Sequence, residues 1–137
     1  MTALLVLQAA ASCALAGLVW FVQLVHYPLF ASVGGPDAFR AYEVEHTRRT
    51  TRIAAPLMVV EAGTAALILV LEPEAATLVG ALLVVALWAS TFLVQVPCHR
   101  ALSRGWDEAI HRRLVRTNWL RTGLWTARAG LALALLV

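Results

Sequence analysis

The sequence predicts an all-α protein: a four-transmembrane-helix bundle in which helices two and four carry helical extensions beyond the membrane, all within one domain spanning residues 1–137. Three observations point there. Of 137 residues, 61% are hydrophobic and 14% charged, with a mean hydropathy of +0.76, a balance that no soluble domain of this size strikes. Four apolar runs, Leu4 to Val25, Ile53 to Leu71, Ala76 to Val96 and Trp119 to Val137, each approach the roughly 20 residues a helix needs to cross a bilayer. Two amphipathic stretches, Asp37 to Arg52 and His99 to Asn118, lead into the second and fourth runs without a strong break.

The first run contains Ala11-Ser12-Cys13-Ala14-Leu15-Ala16, which resembles a signal-peptide cleavage region. It lacks a basic start and stays apolar well past that point, so it reads as a transmembrane helix. Only Leu71-Glu72-Pro73-Glu74-Ala75 separates the second and third runs, which makes them a hairpin. Pro56 is expected to kink helix two, and Pro97 to bend helix three. Small residues recur at three- and four-residue spacing, as Ala9, Cys13 and Gly17 in helix one and as Gly123, Ala127, Gly130 and Ala134 in helix four. Such faces let helices approach closely, within the chain or in a homo-oligomer. Two cysteines, Cys13 and Cys98, exclude a disulfide framework and read as packing residues.

All eleven basic residues are arginine, and ten of them lie between Arg40 and Arg52 or between Arg100 and Arg121. The positive-inside rule makes that side cytoplasmic, in a bacterial-type inner membrane, with both termini outside. Orientation and contact with anionic lipid account for the arginines, so nucleic acid is not an expected partner.

Polar residues form stripes at the spacing that shares one helix face. Helix one offers Gln23 and His26, followed by Tyr27; helix two offers Glu43, His46 and Thr50, with Glu61 further in; helix three offers Thr91, Gln95 and His99; helix four offers Asn118, Arg121, Trp125 and Arg128. His26, His46, His99 and Asn118 fall near one depth. The eleven aromatic residues all lie between Trp20 and Tyr42 or between Trp88 and Trp125, on the arginine-rich side. That distribution suggests a one-sided cavity, although Trp106 and Trp119 also suit an interfacial belt. Glu61 and Arg128 share a depth near the membrane middle, where an isolated charge costs several kcal/mol. An ion pair between them is expected.

Three histidines from three helices, beside Glu43 three residues before His46, make a candidate metal site of His26, Glu43, His46 and His99. Neutral imidazole is a common ligand for iron, copper and zinc, and a Glu and a His three apart on a helix point into a bundle together. His111, near Asp107, reads as solvated. Haem between His46 and His99 is an alternative. Without a metal, the cavity would still suit acid and base chemistry, with Glu61 or a histidine moving protons and Arg121 or Arg128 stabilising an enolate or phenolate. Phosphate loops, nucleophile elbows and paired Cys-x-x-Cys motifs are absent.

The run Val94-Gln95-Val96-Pro97-Cys98-His99-Arg100-Ala101-Leu102, followed by Asn118-Trp119-Leu120-Arg121-Thr122, resembles the closing signature of the anthrone oxygenase-like proteins, a family of small four-helix membrane proteins. Pro97, Asn118, Arg121 and Thr122 match its pattern, and Tyr27-Pro28-Leu29 fits its proline near the end of helix one. His99 stands where that family usually has asparagine. The resemblance implies oxidation of a reduced aromatic polyketide by dioxygen without an organic cofactor. The extra histidine would suit a metal-dependent relative.

These readings lead to the expectation of a membrane-embedded oxidoreductase acting on a hydrophobic, aromatic or lipid-like molecule. Trp20, Gln23, Tyr27, Trp88, Gln95 and Trp125 would line its substrate site, and Glu61, Asn118, Arg121 and Arg128 would act in it. The rivals are a non-catalytic transporter or channel subunit, a scaffold, and a haem-binding electron carrier.

Overall fold

A computed structural model describes residues 1–137. It is helical almost throughout and has no strand. Four long helices make the fold: α1 (Thr2–Ser32), α2 (Pro36–Leu71) and α3 (Ala75–Leu102), and α4 (Glu108–Ala134). Helices α1, α2 and α3 are each long and apolar enough to cross a membrane, as expected of an integral membrane protein, whereas α4 falls short of that measure. Its sequence explains the shortfall, because Arg121 and Arg128 interrupt the apolar run.

The 36 residues of α2 extend for about 54 Å, well beyond a hydrocarbon core of about 30 Å. One continuous helix thus carries both the amphipathic stretch and the apolar run, as expected. The second stretch behaves differently: His99 to Leu102 close α3, and α4 starts only at Glu108. Gly105, at φ 154°, takes a backbone conformation that side chains disfavour, and the Asp107 carboxylate caps α4 by accepting from the Ile110 N–H at 2.9 Å. Gly35, at φ 77°, makes the corresponding turn before α2 and leads into Pro36 at its first position. Between α2 and α3 a capping box forms, with the Glu74 N–H donating to the Thr77 hydroxyl at 3.0 Å.

The prolines act in a way the sequence did not suggest. Helix α2 continues as one element past Pro56, which leaves the Arg52 carbonyl without its usual N–H, while Pro28 in α1 and Pro97 in α3 each follow a five-residue π turn, Val22–His26 and Thr91–Gln95. A proline has no N–H for the carbonyl four residues earlier, here that of Leu24 or Leu93. The wider turn absorbs the defect and rotates the residues beyond it.

The helices alternate in direction around a ring. Helix α1 packs on α2 and α4, and α3 packs on the same two, so that α1 faces α3, and α2 faces α4, across the diagonals. One core cluster, at the arginine-rich end, joins Val22, Tyr27, Phe30, Phe39, Cys98, Leu102 and Leu114. A second, deeper one joins Leu15, Val19, Met58, Leu87 and Trp125. Gly123, Ala127, Gly130 and Ala134 of the α4 stripe are exposed, and a Cβ at Gly123 or Gly130 would meet nothing within 4 Å.

Gly80 is buried against the Arg128 guanidinium, and a Cβ there would lie 3.2 Å from Nη1. Gly80→Val is expected to lower stability by about 1 to 3 kcal/mol through overpacking, and Gly130→Val, where a Cβ meets nothing within 4 Å, by less than about 0.5 kcal/mol. Unfolding midpoints in mild detergent check this ordering.

Candidate metal centre and its cavity

On α2, Glu43, His46 and Thr50 follow one another at three- and four-residue spacing, so one face presents all three to the interior. The π turn of α1 brings His26 and Tyr27 to the same level, and the turn of α3 brings His99. The Glu43 carboxylate is fully buried, and its Oε1 lies 2.6 Å from His99 Nδ1. In the tautomer with the proton on Nδ1, His99 donates to the Glu43 carboxylate and its Nε2 accepts from the Tyr27 hydroxyl at 2.8 Å. The second oxygen, Oε2, is buried and has no partner. His26 Nε2 and His46 Nδ1 are 2.7 Å apart, with the Thr50 hydroxyl 3.2 Å from His46 Nδ1 and the Tyr42 hydroxyl 3.4 Å from His26 Nε2. No arginine reaches Glu43, so imidazoles and a phenol surround the carboxylate.

Glu43, His46 and His99 each offer one ligand atom within 4.8 Å of the others. Ligands of a tetrahedral first-row ion lie roughly 3.3 Å apart, given metal–ligand bonds of about 2.0 to 2.2 Å. Small side-chain rotations close that gap. Two imidazoles and one carboxylate form a donor set that suits non-haem iron and also zinc. The orphaned Glu43 Oε2 is the chemical argument for a cation, because a buried anionic oxygen with no donor is costly. A metal at these atoms would displace the proton between His99 Nδ1 and Glu43. The Tyr27 hydroxyl would then accept from His99 Nε2–H and hold the ring in place.

His46 and His99 stand in the wall of a cavity of about 380 Å³, whose 16 lining residues also include Tyr27, Gln95, Met58, Phe92 and Arg121. A narrower pocket of about 40 Å³ adjoins it between Tyr27, Arg121 and Trp125. Arg121 Nη1 donates to Asn118 Oδ1 at 3.0 Å, and Asn118 Nδ2 donates to Gln23 Oε1 at 2.8 Å. The guanidinium lies over the Trp125 ring, 4.9 Å from its centre. Gln23 and Asn118 therefore act from behind the cavity wall, positioning Arg121. Gln95 donates to Thr117 Oγ1 at 2.9 Å.

Besides Gln23, two more of the expected lining residues are elsewhere. Trp20 is exposed, donates to Thr126 Oγ1 at 3.0 Å and packs edge-on against Trp119. Trp88 packs against Phe92 and lines neither cavity. Trp20 sits on the outer face of α1, whereas Trp88 is half-buried against the deeper core cluster.

The expected Glu61–Arg128 ion pair does not form. Glu61, on α2, accepts from the Ser12 hydroxyl at 2.8 Å and from Trp125 Nε1 at 3.1 Å. Arg128, on α4, turns instead toward Gln8 of α1, whose amide accepts from Nη1 and Nη2 when its oxygen is turned to the guanidinium, and toward the space beside Gly80 of α3. The two residues share a depth but stand on diagonal helices. Neither lines the main cavity, so they form a separate polar layer beneath it.

His111 also departs from expectation. It is buried, with Nε2–H donating to the Tyr27 carbonyl at 2.8 Å and its ring stacked on Phe30. Phe30, fully buried, touches the rings of His26, Tyr27, His46 and His99. Phe30 lies on no polar stripe, but His111 continues the buried face of α4 through Leu114, Asn118 and Trp125 at three- and four-residue spacing, the signal that would have placed it inward.

The fold and this cluster define a class: a helical membrane protein with a buried histidine and carboxylate centre beside a cavity. No family model, curated protein or solved structure matched the chain.

Ser12→Ala should lower stability by about 1 to 3 kcal/mol, because it strips a bond from a buried carboxylate. Adding Glu61→Leu should recover most of that loss. Thermal unfolding of the single and double variants tests the coupling.

Proposed function

We propose that the protein is a membrane-embedded, metal-dependent oxidoreductase of the oxygenase type, in which Glu43, His46 and His99 hold an iron or copper ion and His26 stands ready as a further ligand. The observation that carries this reading is the pair of imidazoles and the buried carboxylate, one oxygen of it unpartnered, at the wall of a 380 Å³ cavity. Among redox-active ions, two histidines and one carboxylate favour non-haem iron, with open positions toward the cavity. The ion would supply the redox chemistry. The chain's own groups would bind a hydrophobic molecule, exclude water and hold protons at His26, His46 and the Tyr27 hydroxyl. The resemblance to the anthrone oxygenase-like proteins points to the same class of reaction, oxidation of a hydrophobic substrate by dioxygen.

In this reading α4 crosses the membrane beside the other three helices. Its charges do not oppose this, because Arg128 is fully buried while Trp119, Leu120 and Leu133 face outward. The arginine-rich end is cytoplasmic by the positive-inside rule, so substrate enters at the cytoplasmic level of the bilayer.

Purified protein should carry about one transition-metal ion per chain, and the double variant His46→Ala, His99→Ala none. Tyr27→Phe should weaken metal affinity by about 10- to 100-fold, as loss of an outer partner does. Elemental analysis and dioxygen uptake with a reduced hydrophobic substrate test the reading. Equal metal content in wild type and double variant would overturn it.

A further inference from the structure

The cavity beside the candidate centre is electrically one-sided. Its 16 lining residues include two cationic side chains, Arg100 at an exposed position and Arg121 within, and no carboxylate. Arg121 makes no ion pair. Its Nη1 donates to the neutral Asn118 oxygen, its guanidinium lies over Trp125, and its Nε is buried without a partner. Glu43 spends one oxygen on His99 and is not a lining residue, and Glu61 is held by Ser12 and Trp125. A guanidinium in a cavity wall, kept from every carboxylate, calls for an anion that the chain does not supply. The remaining walls are largely apolar or small, including Ala54, Ala55, Met58, Phe92 and Val96.

The geometry points to a ligand with an apolar body and one anionic oxygen group, a carboxylate or a phenolate-like oxygen, whose charged end is bound by Arg121 while its body lies along the apolar wall. This deepens the proposed function by naming the substrate class, but the anion contact depends on Arg121 and not on the metal. Arg100, nearer the mouth, draws the anion inward, and Asn118 with Gln23 fixes the guanidinium that receives it. The cation–π contact with Trp125 holds the guanidinium plane fixed at the cavity wall.

The test is equilibrium binding to protein in lipid nanodiscs at alkaline pH, with two acid and alcohol pairs: dodecanoate against dodecanol, and naphthoate against naphthylmethanol. In wild type at least one acid should bind about tenfold tighter than its alcohol, as one charge-assisted contact would give. The pair showing the preference identifies the body as acyl chain or aromatic ring. Arg121→Gln should abolish the preference, and Arg121→Lys should reduce it by about threefold or more, since ammonium lacks the planar fork. If the Gln variant does not fold, the Lys variant decides. The double variant His46→Ala, His99→Ala should keep the preference, so loss of the metal reading leaves this inference standing. Equal binding of acid and alcohol in wild type would overturn it. So would a preference that survives in Arg121→Gln, is unchanged in Arg121→Lys, or vanishes in the histidine double variant.

Discussion

The site depends on a carboxylate buried without a cationic side chain. Glu43 has no solvent exposure, and an ionised group in such a place must draw donors from the protein. Its helix cannot supply them alone, because His46 lies a turn away on the same face and engages His26. The donor comes from α3 through His99, and His99 in turn requires the Tyr27 hydroxyl from α1. Three helices are thereby fixed at one level by a chain of polar contacts, with the Phe30 ring packed among them. One oxygen is left over, and it makes the cluster more than a packing device.

The two π turns serve this arrangement. A regular helix through Pro28 or Pro97 would leave a carbonyl without its N–H and would direct the following residues along the old face. The wider turns before those prolines shift Tyr27 and His99 in register, and these are the two residues that complete the chain to Glu43. The buried His111 fastens the same region by donating to the Tyr27 carbonyl, next to Pro28.

Much of this was legible in the sequence, for definable reasons. Apolar run length marks helices, and three- and four-residue spacing marks faces, so the three apolar helices, the long α2 and the meeting of Glu43, His46, His99 and His26 follow from pattern alone. Depth was legible too, since counting residues gives height in a bundle. Azimuth was not. Glu61 and Arg128 were matched by height, yet Glu61 reaches across the diagonal to Trp125 of α4 and to Ser12, while Arg128, three residues beyond Trp125, turns to Gln8 and the space beside Gly80. Trp20 and Trp88 have the right height for the cavity and face away from it. The π turns were also invisible, because a proline shows where a hydrogen bond is lost and does not show whether the helix kinks or widens. The helix break at Gly105 was carried by a single glycine and the Asp107 cap inside a stretch that otherwise reads as amphipathic.

The separation of opposite charges follows from the same constraint. Glu43 and Arg121 both belong to the arginine-rich half of the bundle, and pairing them would have been the simplest way to bury both. The fold interposes Tyr27, whose ring lines both cavities while its hydroxyl bonds His99. The carboxylate is thereby reserved for imidazoles and the guanidinium for the cavity. Trp125 extends the division downward: one face meets Arg121, and its indole N–H donates to Glu61. One aromatic side chain thus links the floor of the cavity to the deeper polar layer without letting either cation reach either anion. A bundle selected only for stability would have less reason to hold these groups apart, because an unpaired buried charge costs more than a paired one.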